Sequence, residues 1–102
     1  MAVIVIAEVR GQTEAGYDGM LSVLADLARR AEGFVLHSAY RTEDDNWRVV
    51  EVWQTKQQAN QFFARHVAPN LPPGVHPKRT LHEAHSLVLG ANLEQLAAVQ
   101  VS

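Results

Sequence analysis

The sequence has 102 residues, 47% of them hydrophobic, which is enough for one core and too apolar for a disordered chain. Nine basic residues stand against eleven acidic ones with no basic run, which argues against a nucleic-acid or anionic-membrane surface. Cysteine is absent, so disulfides and thiolate metal sites are excluded, and a cytoplasmic location is expected.

Ala2 to Val9, AVIVIAEV, predicts the first strand. It follows Met1 directly, has no basic segment before it and falls far short of the ~20 residues of a membrane span, so it reads as neither signal peptide nor anchor. Apolar residues fall on both of its faces, which predicts cover on both sides. Gly11 ends it. A helix is expected from roughly Glu14 to Glu32, with Tyr17, Met20, Leu21, Leu24, Leu27, Ala28 and Ala31 forming one apolar stripe. Thr13 is its expected N-cap, and Gly33 the residue just past its end.

Phe34–Tyr40 and Trp47–Trp53 then read as two strands joined by the turn Thr42–Asn46, an antiparallel hairpin. In the second strand Trp47, Val49, Glu51 and Trp53 share one face; Arg48, Val50 and Val52 share the other. Thr55 with Gln58 has the spacing of a capping box and opens a helix from Lys56 to about Val67, ended by Pro69. Ala59, Phe62, Phe63, His66 and Val67 lie on its apolar face. Asn70 to Pro77 is a Pro/Gly-rich loop, a fourth strand is expected from about Arg79 to Leu89, and Asn92 caps a short C-terminal helix.

The order β-α-β-β-α-β predicts a single α+β domain over 1–102. A ferredoxin-like core occupies 1–90, with a four-stranded antiparallel sheet and both helices on one face, and a C-terminal helix or tail occupies 91–102. If Val3, Val5, Val50 and Val52 are all buried, the free face also needs cover, and a second copy of the chain is the simplest: a homodimer.

No phosphate-loop, dinucleotide, zinc-protease or serine-hydrolase motif is present. His66, four residues after Phe62 on the apolar stripe, points at the sheet. It is a candidate base or ligand, weighed against a core-edge histidine with a satisfied ring. Trp53 ends its strand just before that helix and is either a cavity wall or a core hydrophobe. By helix rise, His66 lies about 16 Å from the Thr55 cap, which predicts a cavity wall shared with Trp53 but with Glu51 and Val49 between them. Trp47, near the turn, is expected to be partly exposed. Glu51 needs a partner, from Arg10, Arg41 or a histidine. His37 lies in the first hairpin strand. His82 and His85 point to opposite faces, so LHEAHS makes no metal site, and none is expected.

The element order, with GF opening the hairpin, then RVVEVW, a Thr-capped helix, a phenylalanine pair and a terminating proline, resembles the antibiotic biosynthesis monooxygenase family. The resemblance covers roughly Ala2 to Leu89. It implies a dimeric α+β barrel built through the sheets and a pocket between sheet and helices. Relatives include cofactor-independent monooxygenases that oxidise aromatic polyketides, and haem-degrading enzymes. The haem branch uses an Asn on the first strand, a Trp near the end of the third strand and a His on the following helix; Trp53 and His66 resemble the last two, and AVIVIAEV holds no Asn. The expected function is monooxygenase-like, without cofactor, on a small aromatic or quinol-type substrate. His66 and Trp53 are the expected catalytic residues, and Trp47, Val49, Glu51, Phe62, Phe63 and His37 the substrate-binding ones. The alternatives are a haem-binding or haem-degrading monooxygenase and a non-catalytic dimeric binding module.

Overall fold

A run of β-branched residues, Val3 to Ile6 and then Val9, makes Val3–Arg10 a strand, β1, whose even and odd residues meet different surroundings. Val3, Val5, Ala7 and Val9 are buried beneath the helices, while Ile4, Ile6 and Glu8 are half-buried on the opposite face. The computed structural model describes residues 1–93. Its other elements are α1 (Glu14–Arg30), β2 (Phe34–Arg41), β3 (Trp47–Trp53), α2 (Lys56–Phe62) and β4 (His76–Glu83). The sheet order is β2-β3-β1-β4, with every neighbour antiparallel. The predicted α+β fold is therefore present. The expected C-terminal helix lies outside the described residues apart from its first positions.

Local chemistry fixes the ends of the elements. Thr13 Oγ1 accepts the Gly16 N–H at 3.0 Å and starts α1; Thr55 Oγ1 accepts the Gln58 N–H at 3.1 Å and starts α2. Only half of the capping box forms at Thr55. The Gln58 side chain turns instead onto the backbone of Gly33, which sits at φ +87°, leaving Gln58 Oε1 buried without a donor. The hairpin turn closes through Thr42 N–H to Asn46 O at 2.7 Å, with Asp45 at φ 61°.

Four expectations need correction. α1 ends at Arg30, because Ala31 is already extended at ψ 136°. β4 begins and ends earlier than predicted, because its partner dictates its length. His76 pairs with Arg10, Glu83 with Val3, and beyond Ala84, which bonds Ala2 O, β1 offers no further partner. Pro77 is tolerated because β4 is an edge strand. Val3 and Val5 face the helices, so the free face of the sheet carries Ile4, Ile6, Val50, Val52 and Leu36 instead. Trp47 is 8% exposed rather than open to solvent, because Tyr17 stacks on it at 4.9 Å and 7°.

The core is split. One cluster joins Val3, Val5, Trp53, Ala59 and Phe62; the other joins Ala7, Val9, Trp47 and Val75. Each fully buried large side chain contributes about 1.5–3 kcal/mol. Between the clusters the helix side of the sheet is only half covered: α1 has no fully buried residue, and His37, Ala39, Val49 and Glu51 are all half-buried.

Candidate functional site

Register brings the polar residues of this gap together. His37 stands directly opposite Glu51, and both side chains face the helices. His37 Nδ1 lies 2.7 Å from Glu51 Oε2, and Trp53 Nε1–H donates to Glu51 Oε1 at 3.0 Å. From above, Tyr17 on α1 brings its hydroxyl to 2.6 Å from His37 Nε2. The result is a hydrogen-bonded line, Trp53–Glu51–His37–Tyr17, running from one apolar cluster to the other. The His37 and Glu51 side chains keep 24% and 20% of their surface in contact with solvent, so the line is reachable from outside.

Charge decides who donates. Burial pushes the Glu51 carboxyl up, but hydrogen bonds from His37 and Trp53 and the charges of His37 and Arg79 outweigh it and hold Glu51 below its ordinary value. An ionised Glu51 only accepts, so His37 must present Nδ1–H to it. The Tyr17 phenol is pushed up to about 12, chiefly by burial and then by the charges of Glu51 and Asp18, so it keeps its proton. When His37 carries one ring proton, on Nδ1, its Nε2 accepts the Tyr17 hydroxyl, and that lone pair is the base of the cluster; when Nε2 is also protonated, the hydroxyl accepts from it instead. Such a carboxylate–imidazole pair can take a proton from a hydroxyl or an activated carbon placed at Nε2, directly or through Tyr17.

The remaining predicted residues fall in two places. Val49 lies beside Glu51 on the floor of the gap, and Trp47 stacks on Tyr17 with its indole Nε1 buried and unpaired. Trp53, Phe62 and His66 instead line a separate depression of about 210 Å³ together with Gln58, Gln61 and Arg65. Trp53 and His66 do share a wall, but Phe62 stands between them, 5.3 Å from one ring and 5.0 Å from the other; Glu51 and Val49 do not. The simple rise arithmetic fails because α2 crosses the strands toward β4, where Asn60 meets Arg79, and then widens into a π-helical turn at Phe63–Val67. Phe63 lies under the Arg79 guanidinium. The sequence reading missed Tyr17 and Arg79. Tyr17 is the one hydroxyl-bearing residue of the α1 stripe, and that was the available signal. Among the described residues no group of three or more His, Asp or Glu is placed to hold a metal ion, and no helix is long and apolar enough to cross a membrane.

No family model matches the sequence, and no curated protein matches it. Solved structures do. SnoaB, a cofactor-independent oxygenase from Streptomyces nogalater, aligns with a TM-score of 0.68 and 19% identity over 85% of this chain and 96% of that one. A Deinococcus radiodurans protein provisionally described as an antibiotic biosynthesis monooxygenase aligns at 0.66 and 18%, over 85% and 96%. MhuD, in a form binding manganese protoporphyrin IX, aligns at 0.63 and 17%, over 86% and 99%. At these identities the likeness is one of fold: the chain has the fold of the antibiotic biosynthesis monooxygenases.

Proposed function

Starting from that fold, we propose that the protein is a cofactor-independent, monooxygenase-like enzyme acting on a small aromatic or quinol-type substrate in the gap between sheet and helices. One observation carries this reading: an imidazole held by a carboxylate on one nitrogen and by a phenol on the other, about a quarter exposed to solvent between two apolar clusters. His37 Nε2 takes the substrate's proton, and Glu51 stabilises the imidazolium that forms. The electron-rich substrate anion passes an electron to O2, and the radical pair combines to a hydroperoxide. Loss of water from a CH2 centre then leaves a carbonyl: R2CH2 plus O2 gives R2CO plus H2O. The protein's share is to desolvate, orient and deprotonate. Trp53 is a positioning residue in this scheme, since its indole holds Glu51. The free apolar face of the sheet supports a homodimer, sheet against sheet, with Ile4, Ile6, Val50 and Leu36 half-buried in the single chain.

A second reading gives the chemistry to Trp53 and His66, on the observation that they line one depression. It would suit a haem ligand only if Phe62 moved, because Phe62 fills the space between the two rings. Oxygen uptake with a panel of dihydroxynaphthalenes and anthrones separates the readings. The first expects uptake that falls about 10²-fold or more in His37→Ala, in line with loss of a general base, and persists in His66→Ala. The reverse pattern, or a Soret band on haem titration that is lost in His66→Ala, would favour the second.

A further inference from the structure

The helix-facing row next to the His37–Glu51 pair runs Ala39, Val49, Ala7 and ends at Arg79 on β4. Three small side chains make a low floor between the base and this arginine, which lies two strand spacings from Val49, about 10 Å. Arg79 is half-buried and held in place. Its guanidinium lies 4.2 Å above the Phe63 ring, and Nη1 donates to Asn60 Oδ1 at 3.1 Å. Arg29 has Asp26, Arg41 has Glu14 and Arg48 has Glu8, while Arg10, Arg30 and Arg65, without such a partner among the described residues, are exposed where Arg79 is not. Among the described residues Arg79 has no carboxylate within ion-pair distance, and its Nε and Nη2 donors make no hydrogen bond.

A planar guanidinium fixed by an aromatic face and a single amide keeps a fork of donors that matches a carboxylate. The acid whose charge reaches Arg79 is Glu51, which stands on the far side of β1 and is already engaged by His37 and Trp53. We propose that Arg79 anchors a carboxylate of the ligand, so that the gap takes hydroxylated aromatic acids in preference to neutral phenols. The ring lies over the half-buried Ala39 and Val49, the acid group points past Ala7 toward Arg79, and the ionisable hydroxyl meets His37. This rests on the reading of the gap as the ligand site.

The test uses 6-hydroxy-2-naphthoate and its methyl ester, with binding followed by quenching of tryptophan fluorescence. The wild type is expected to bind the acid at least about tenfold more tightly, a preference of about 1.4 kcal/mol that shrinks as salt is raised. Arg79→Gln should weaken the acid by that factor and leave the ester unchanged; Arg79→Lys, which keeps the charge but loses the fork, should fall between. Equal affinity of the wild type for acid and ester would overturn the role of Arg79 while leaving the ligand site standing, as would an Arg79→Gln variant that weakens both alike. Binding of neither would overturn the site itself, and Arg79 with it. Should Arg79→Gln fail to fold, the wild-type preference and its salt dependence still decide.

Discussion

Replacing Glu51 by glutamine probes the hydrogen-bonded line at its centre. The carboxylate accepts twice, from His37 Nδ1–H at 2.7 Å and from Trp53 Nε1–H at 3.0 Å. A carboxamide has one oxygen for these two donors. If the oxygen takes the Trp53 N–H, the amide N–H2 meets Nδ1, the imidazole must carry its proton on Nε2, and the Tyr17 hydroxyl loses its acceptor. If the oxygen takes His37, the amide faces the indole N–H donor to donor. In the first case Nε2–H donates to the Tyr17 oxygen and only the hydroxyl proton is left without an acceptor; in the second one hydrogen bond is lost; in both the charge assistance goes, at a cost of about 1–3 kcal/mol. For a domain of this size each kcal/mol lowers Tm by about 4–8 °C. The effect also has a sign in pH. Glu51 is held below its ordinary value, so the ionised form favours the native state above the unfolded-state value, and that stabilisation is lost as the pH falls through the lower, folded value. Glutamine does not titrate. Thermal melts from neutral to acid pH should therefore show a wide gap between wild type and Glu51→Gln at pH 7 that closes at low pH. Equal stability at pH 7, or a gap that persists in acid, would refute the reasoning.

Tyr17→Phe should remove a phenol that keeps its proton to about pH 12; spectrophotometric titration of the two tyrosines should lose its late step in the variant. Val50→Asp should cost the protomer little, since Val50 is half-exposed on the free face, yet abolish self-association in sedimentation at micromolar concentration; a wild type that is monomeric there would contradict the dimer. Gly33→Ala should lower stability by more than about 1 kcal/mol in chemical denaturation, because the residue sits at φ +87° and a Cβ would meet the Gln58 carboxamide.

Much of the fold was legible because each element carries its own chemistry: the apolar stripe of α1, Thr13 and Thr55 at the helix starts, and the turn residues between β2 and β3. The shared face of Trp47, Val49, Glu51 and Trp53 followed from period two alone. Its opposite register with His37 did not, since pairing depends on the turn closure at Thr42–Asn46 and on the irregularity between Phe34 and Leu36. A histidine was foreseen as one possible partner of Glu51, but only the register selects His37. The length of β4 was hidden because β1 sets it. The role of Tyr17 was hidden because a tyrosine on an apolar stripe reads as a hydrophobe. The position of His66 was misjudged because sequence gives a helix's rise and not its crossing direction.

The central claim is that ligand meets the His37–Glu51 pair rather than the depression beside His66. Nitrogen NMR of the five imidazole rings, recorded as 2-naphthol is added and assigned with His37→Gln and His66→Gln variants, tests this most directly. The His37 ring nitrogens are expected to move most, Nε2 above all as Tyr17 is displaced, with His66 unaffected. A shift confined to His66, with His37 unchanged at saturating ligand, would contradict the account.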